Sequence, residues 1–282
     1  MNLLIYIFIF LLGTIIGSFL NVVIFRFNSG KSIVKGRSIC MTCNRTLRWY
    51  ELIPVFSYLF QLGKCRRCAE SISHQYPLVE LITGLMFVLV AFHFYYILFF
   101  SPIIYILFVI IYVFVFSLLI VISVYDLRHK IIPDTLVYTF IVISFLSIFI
   151  NYTSLGSWST SSVSLSIIPK PLFILPSLLN IIAGPLLALP FAFLWLVSKG
   201  KWMGLGDAKL MLGIGWMLGV YQGLASVVLS FWIGAIISLF IMFFVNKKIN
   251  MKTEIPFAPF LIISFFVIFL FNMNIFTLAS IF

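Results

Sequence analysis

Eight apolar stretches limit what this chain can fold into. A helix that crosses a bilayer needs about 20 mostly apolar residues, and all of these stretches except 208–221 come near that length. Only 9% of the residues are charged, against about 25% in an ordinary soluble domain. The sequence therefore predicts an all-α polytopic membrane protein with about eight transmembrane helices. The predicted spans are 2–25, 78–99, 102–125, 133–150, 174–198, 208–221, 223–246 and 256–275.

The basic residues predict how these spans are oriented. If residues 26–77 face the cytoplasm, alternation of the spans places 126–132, 199–209 and 247–252 on the same side. These four segments hold 17 of the 18 Lys and Arg residues, which is the bias that the positive-inside rule describes. The net charge of +11 therefore reflects topology in a lipid bilayer, and it does not indicate a nucleic-acid partner.

The loop 26–77 is the only one long enough for a small soluble domain, and it contains all four cysteines. They form two Cys-x-x-Cys pairs, Cys40 with Cys43 and Cys65 with Cys68, separated by 21 residues. Two such pairs are typical of a zinc-ribbon site with four thiolate ligands. A pair of disulfides is the main alternative, which a cytosolic face disfavours, and a catalytic or redox site is the third.

These features divide the chain into three predicted parts. Residues 1–25 form the first transmembrane helix, and residues 26–77 form a small zinc-ribbon-like cytoplasmic domain between helices 1 and 2. Residues 78–282 form a multi-helix membrane domain.

The chain has three aspartates, and the predicted topology places each of them at the cytoplasmic end of a span. Two carboxylates that share a proton can activate a water molecule and polarise a carbonyl group. Asp126 ends a helix, where the helix dipole disfavours a negative charge, so we interpret it as functional. Asp207 follows Gly204 and Gly206 and also fits an N-cap, whereas Asp134 fits a simple helix start. A membrane aspartyl hydrolase, ion transport through paired carboxylates and purely structural caps all remain open at this point.

Small residues are expected to bring helices together. Gly13, Gly17 and Asn21 share one face of the first span, and Gly215 and Gly219 share a face of a later one. Such spacing allows close packing of membrane helices, so we interpret both sets as packing sites.

Five motifs resemble those of the bacterial type IV prepilin peptidases, in the same order and along nearly the whole chain. They are GSFLNVVIFR (17–26), CMTC…CRRC (40–68), ISHQYPLVELITG (72–84), YDLRHKIIPD (125–134) and GLGDAKLMLGIGWMLG (204–219). The last of them carries the GxGD signature shared with other intramembrane aspartyl proteases.

The resemblance implies an enzyme of the bacterial inner (cytoplasmic) membrane with two activities. It would cleave the short basic leader of type IV prepilins or pseudopilins on the cytoplasmic face, and would then N-methylate the new terminal residue with S-adenosylmethionine. Asp126 and Asp207 would be the catalytic aspartates, whereas Asp134 matches a position not usually assigned the chemistry. A membrane transporter that uses paired carboxylates as proton or cation sites is the alternative. The zinc ligands would be Cys40, Cys43, Cys65 and Cys68.

Glu80 has two interpretations. Because it follows Pro77, we expect it in the first turn of a helix, where the dipole stabilises a carboxylate. A role in methyl transfer is the alternative, and the sequence does not locate the methyl-transfer site.

Overall fold

The structure is a computed structural model that describes residues 3–30, 32–150, 176–244 and 256–280. Regular structure in these ranges is helical, apart from two isolated antiparallel bridges. Two short 3-10 turns, Trp49–Leu52 and Tyr95–Phe99, lie between helices. The α-helices are α1 (Leu3–Arg26), α2 (Phe56–Phe60), α3 (Gln75–His93), α4 (Pro102–His129), α5 (Asp134–Ser147), α6 (Leu178–Ser198), α7 (Leu205–Phe244), α8 (Ala258–Phe271) and α9 (Ile275–Ala279).

Five of these helices, α1, α3, α4, α6 and α7, are long and apolar enough to cross a membrane. α5 and α8 are apolar but have only 14 residues each. Large apolar side chains such as Phe8, Leu196 and Ile236 are about two-thirds exposed, as expected of helices whose outer faces contact lipid. The all-α membrane class is confirmed, and the count of eight spans stays a prediction. The 151–165 loop and the basic 247–252 segment lie outside the described residues.

The predicted spans 208–221 and 223–246 both fall in α7, as far as the structure describes them, and the backbone of α7 is not helical at Gly219. A Cβ at Gly223 would lie 3.9 Å from Gly215 Cα, whereas eight residues of continuous helix extend about 12 Å. The chain therefore turns back, as predicted for two separate spans, and α7 consists of two helical parts that meet at Gly219. This residue has φ 75° and ψ −177°, a conformation that is essentially restricted to glycine. The predicted packing role of Gly219 is therefore wrong, because no atom outside its immediate chain neighbourhood lies within 4 Å of the place where its Cβ would be. Gly215 does pack closely: a Cβ there would lie 2.8 Å from the Ala183 carbonyl oxygen in α6.

The chain forms two compact units, Met1–Val121 and Ile122–Phe282, and the boundary falls within α4. In the first unit, α1 packs on α3 through small residues. A Cβ at Gly13 would lie 2.8 Å from Gly84 Cα, and one at Gly17 would lie 2.7 Å from Glu80 Cα. Asn21 strengthens the same interface, since its Nδ2 donates to the Tyr76 carbonyl oxygen at 3.1 Å. The predicted packing role of this α1 face is confirmed.

In the second unit, α5, α6 and α8 all pack against α7. Trp216 of α7 donates its ring N–H to the Ile181 carbonyl oxygen of α6 at 2.9 Å. The hydroxyl groups of Ser226 in α7 and Ser264 in α8 lie 3.0 Å apart and are both buried. α7 is therefore the central element of this unit, and its first turn carries Asp207.

Candidate functional site

Asp126 and Asp207 lie at two helix ends in the second unit. Asp126 is in the last turn of α4 and Asp207 is in the first turn of α7. The residues are only 5% and 6% exposed, respectively, and the charge on Asp126 acts on Asp207. The structure therefore brings together the two aspartates that the sequence singled out.

A third helix end holds Asp126 in place. The backbone N–H of Ala258, the first residue of α8, donates to the Asp126 carboxylate. The positive end of a helix dipole stabilises a nearby anion, and this offsets the unfavourable position of Asp126 at the end of α4. Sequence reasoning missed Ala258. The only local signal was Pro259, because proline favours the first turn of a helix.

Asp207 is the third residue of α7, so the N-cap interpretation was wrong. Its carboxylate accepts a hydrogen bond from the backbone of Gly204, which precedes the helix. An acidic residue at the third helical position commonly reaches back to the N-cap backbone in this way. In the part of the chain that the structure describes, its Oδ1 is buried and has no hydrogen-bond partner. One carboxylate oxygen is thus not used by the fold.

The two glycines of the GLGD motif have different environments. A Cβ at Gly206 would lie 2.8 Å from both Cβ and Cδ1 of Ile132, so this glycine allows the α4–α5 connection to approach α7. Beside Gly204 there is open space, and the atoms nearest to a Cβ there would be Asp207 Oδ2 and Gly206 N, both at 3.9 Å. Gly204 therefore leaves one side of the Asp207 carboxylate uncovered.

Asp134 lies outside this pair and has a structural partner. It is the first residue of α5, as the helix-start interpretation predicted. Its Oδ1 forms a 2.5 Å ion pair with Nζ of Lys209, and its side chain is 64% exposed. Lys209 Nζ also lies 4.7 Å from the centre of the Tyr138 ring. Asp134 therefore connects α5 to α7.

The four cysteines lie on two knuckles of matching backbone structure in the first unit. In the first knuckle, Cys40 N–H donates to the Arg45 carbonyl and Asn44 N–H donates to the Cys40 carbonyl. In the second, the corresponding bonds join Cys65 to Glu70 and Ala69 to Cys65, and all four distances are 2.9 or 3.0 Å. An isolated β-bridge closes each knuckle, Ile39 with Thr46 and Lys64 with Ser71.

The sulfur geometry fits one tetrahedral metal ion. All four Sγ atoms lie within 4.8 Å of one another, and Cys40 Sγ is 3.8 Å from Cys68 Sγ. Tetrahedral Zn²⁺ with Zn–S bonds of about 2.3 Å requires sulfur atoms about 3.8 Å apart. All four are free cysteines, so the structure contains neither of the alternative disulfides.

Backbone donors also prepare the sulfurs for metal binding. N–H groups of Cys68 and Arg67 donate to the Cys65 sulfur and lower the pKa of that thiol to about 6. The Cys43 and Thr42 N–H groups lower the pKa of Cys40 in the same way. Burial and the neighbouring thiols instead raise the pKa of Cys68 to about 11. Thiolates are the form that binds a metal ion, so the backbone donors favour metal binding at Cys40 and Cys65 in particular.

Glu80 lies in the second turn of α3, because that helix begins at Gln75, and the first-turn interpretation was therefore wrong. The residue is 6% exposed. Its Oε2 accepts a hydrogen bond from Val55 N–H at 2.7 Å. Glu80 thus connects α3 to the cysteine-containing segment of the same unit.

Two family models match the chain: the bacterial peptidase A24 N-terminal domain over residues 11–94, and the type IV leader peptidase family over residues 113–239. A Bacillus subtilis protein named prepilin leader peptidase/N-methyltransferase is 31% identical, over 89% of this chain and 88% of the relative. A Vibrio cholerae protein of the same name is 30% identical, over 94% and 96%. A third, from Myxococcus xanthus, is 53% identical over a shorter match of 81 residues, 29% of this chain and 24% of that protein. No solved structure matches the chain. By sequence match over most of its length, the chain belongs to the type IV leader peptidase family.

Proposed function

We propose that this protein removes the leader from type IV prepilins or pseudopilins in the inner membrane and then N-methylates the new terminus. The observation that carries the proposal is the pair of buried, interacting carboxylates at the ends of α4 and α7. The names of relatives that match over most of the chain support the same substrate class and both activities.

The two aspartates have complementary roles in the proposed hydrolysis. Asp126 is the base, because the start of α8 stabilises its negative charge. It takes a proton from water as the water oxygen attacks the carbonyl carbon of the scissile peptide bond. Protonated Asp207 donates a hydrogen bond to the carbonyl oxygen. The C–N bond then breaks, a proton passes to the leaving amine, and the leader departs with a new carboxyl group.

The proposed substrate fits the position of the pair. A basic leader followed by a hydrophobic helix has its cleavage site where that helix meets the membrane surface. The positive-inside bias supports a cytoplasmic location for this surface, since 17 of 18 basic residues fall in the segments assigned to that side. The open side of Asp207 at Gly204 gives a substrate backbone room to approach.

Two cofactors belong to the proposal. Cys40, Cys43, Cys65 and Cys68 would hold one zinc ion, which would stabilise a segment too small to bury a core of its own. S-adenosylmethionine, when bound, supplies an electrophilic methyl group for the amine that cleavage releases.

One experiment tests both activities on the wild-type protein. Purified protein in detergent is incubated with a prepilin, with and without S-adenosylmethionine, and the product mass is measured. We expect loss of the leader in both samples and gain of one methyl group only with S-adenosylmethionine. An uncut prepilin would contradict the peptidase proposal, and a cut but unmethylated product would contradict the methylation. The names of the matched relatives give no support to ion transport by the carboxylates. Ion transport would predict an activity that depends on an ion gradient and would predict no cleavage of the prepilin.

A further inference from the structure

We propose that residues 49–62 of the first unit form an in-plane membrane anchor, and that the cavity between this anchor segment and α1 holds an acyl chain of a phospholipid. The segment lies between α1 and α3, which are both long and apolar enough to cross a membrane. The anchor would hold the cysteine centre at the membrane surface. It is independent of the proposed cleavage and methylation.

The anchor segment presents an uncharged apolar surface. Trp49, Phe60 and Leu62 are 78%, 79% and 85% exposed. Glu51 is the one charged residue between positions 49 and 62, and it is buried in an ion pair with Arg45. Large exposed apolar surfaces mark sites that contact a membrane or another molecule. The segment therefore needs an apolar partner. Four further apolar side chains of the segment are exposed: Leu52, Ile53, Phe56 and Leu59.

The open cavity shows how deep the anchor segment lies. Trp49 and Ile53 line it from the segment, and α1 residues from Ile15 to Val22 line it from the other side. Arg26 ends α1 and carries the first charged side chain in the sequence, so it marks the polar end of the span. At 1.5 Å per residue, Val22 and Ile15 lie about 6 and 16 Å before Arg26 along the helix axis. The polar layer on each side of a bilayer is about 5–7 Å thick, so the segment reaches the hydrocarbon.

An acyl chain fits this cavity in chemistry and in position. The cavity has a volume of about 350 Å³, and its lining consists of seven apolar residues and two serines. A hydrocarbon chain needs no charged or hydrogen-bonding partner. Ile15 and Phe19, which line the cavity, are also exposed on α1, where a membrane helix contacts lipid. A lipid chain can therefore enter the cavity from the side of the bilayer.

Basic residues beside the anchor segment complement anionic lipid headgroups. Lys64, Arg66 and Arg67 follow it closely and are exposed. Apolar and aromatic side chains combined with lysine and arginine are typical of segments that lie in the plane of the interface, and tryptophan is enriched at that level. A soluble protein partner would not reach the depth of Ile15. The bilayer is the partner that fits both the cavity and the charges.

The fluorescence of Trp49 tests the depth of the segment. The purified full chain and Trp49→Phe, a change at an exposed residue, are reconstituted in vesicles of phosphatidylcholine and phosphatidylglycerol with plain or brominated acyl chains. The difference in emission between the two proteins is the contribution of Trp49. Bromine quenches tryptophan on contact, so we expect most of this difference to be lost in the brominated vesicles and to resist aqueous iodide. Quenching by iodide alone would place Trp49 in water, and quenching by neither would place it against protein. Either result would overturn the inference.

Photo-cross-linking in the same plain vesicles tests the far end of the segment. The photoreactive residue p-benzoylphenylalanine replaces Phe60 or, as a control, Val34, an apolar residue that is 86% exposed and lies outside the segment. After irradiation, we expect the protein with the probe at Phe60 to gain the mass of one phospholipid several-fold more often than the control. Equal yields at the two positions, or adducts to protein alone, would overturn the inference. Neither readout depends on cleavage or methylation, so the proposed function is tested separately.

Discussion

The side chains of Asp126 and Asp207 each make a contact that stabilises the structure, and each also has a proposed chemical role. Asp207 reaches back to the Gly204 backbone, which helps to begin α7. Asp126 accepts from Ala258 at the beginning of α8. These backbone contacts fix both carboxylates in a buried site. The pair is therefore held in place by helix ends, which leaves the carboxylates available for chemistry.

The two glycines of the GLGD motif should differ in their tolerance of substitution. Gly206→Ala places a Cβ 2.8 Å from Ile132 Cβ, an atom that cannot turn aside, so we expect a loss of about 1–3 kcal/mol in stability. Gly204→Ala meets nothing closer than 3.9 Å and should unfold at nearly the wild-type temperature in detergent. Thermal unfolding of both variants checks this. A destabilised Gly204→Ala beside a stable Gly206→Ala would show that the packing against Ile132 is not the constraint.

Sequence reasoning succeeded where a residue's position relative to an apolar stretch was enough. It placed Asp126, Asp207 and Asp134 at helix ends because each lies at the edge of such a stretch, and the structure confirms these positions. The catalytic role of Asp126 and Asp207 stays a prediction. It misplaced Glu80, since α3 begins before Pro77 and so moves Glu80 into the second turn. It could not find Ala258, because only tertiary packing brings the start of α8 to Asp126.

At the scale of elements, the cysteine segment contains two copies of one backbone motif. Residues 38–47 and 63–72 have the same hydrogen-bond pattern, and Asn44 and Ala69 take the same left-handed conformation, with φ of 53° and 55°. The side chains outside the cysteines differ between the two copies. The backbone hydrogen bonds therefore show that the two knuckles are equivalent, whereas the sequence shows only that they share the Cys-x-x-Cys spacing.

We expect elemental analysis of the purified protein to find about one zinc ion per chain. Cys65→Ser should lose the metal and make residues 26–77 sensitive to protease, because metal binding supplies folding energy in such small modules. Met41→Ser, a change at an exposed knuckle residue that offers no thiolate, is the matched control and should keep the metal. Wild-type protein without metal, or with two disulfides by mass after alkylation, would contradict the zinc assignment.

The break in α7 shows where span counting from sequence succeeded. The non-helical residue Gly219 lies where hydropathy placed the boundary between two spans, and the approach of Gly223 to Gly215 shows that the chain turns back there. The two 14-residue helices α5 and α8 leave the count of eight spans a prediction, because they are shorter than the predicted spans and shorter than the usual requirement of about 20 residues.

At the scale of the whole molecule, the aspartate pair and the cysteine centre lie in different compact units. The aspartates belong to Ile122–Phe282, and the cysteine centre and Glu80 belong to Met1–Val121. The two family models fall largely on the same two parts of the chain. Both sites are assigned to the cytoplasmic face, which is a prediction from the distribution of basic residues.

Thiol labelling of intact cells tests that orientation. Val34 is 86% exposed in the cysteine-containing segment, and Phe100 is 71% exposed between α3 and α4. An impermeant reagent should label Phe100→Cys in intact cells and should label Val34→Cys only after the cells are opened. The reverse pattern would place residues 26–77 outside and would remove the reason for excluding disulfides.

The central claim is that Asp126 and Asp207 act as one catalytic pair, and leader removal by matched variants tests it most directly. Asp126→Asn, Asp207→Asn and Asp134→Asn are purified with equal zinc content and incubated with a prepilin, and the cleavage rate is followed by mass. The first two should each lose at least about a thousandfold in rate, because an amide can neither take a proton from water nor share one with its partner. Asp134→Asn should retain most of its activity, because Asp134 is an exposed helix start paired with Lys209. Substantial cleavage by either Asp126→Asn or Asp207→Asn, or an inactive Asp134→Asn beside an active Asp126→Asn, would contradict the assignment.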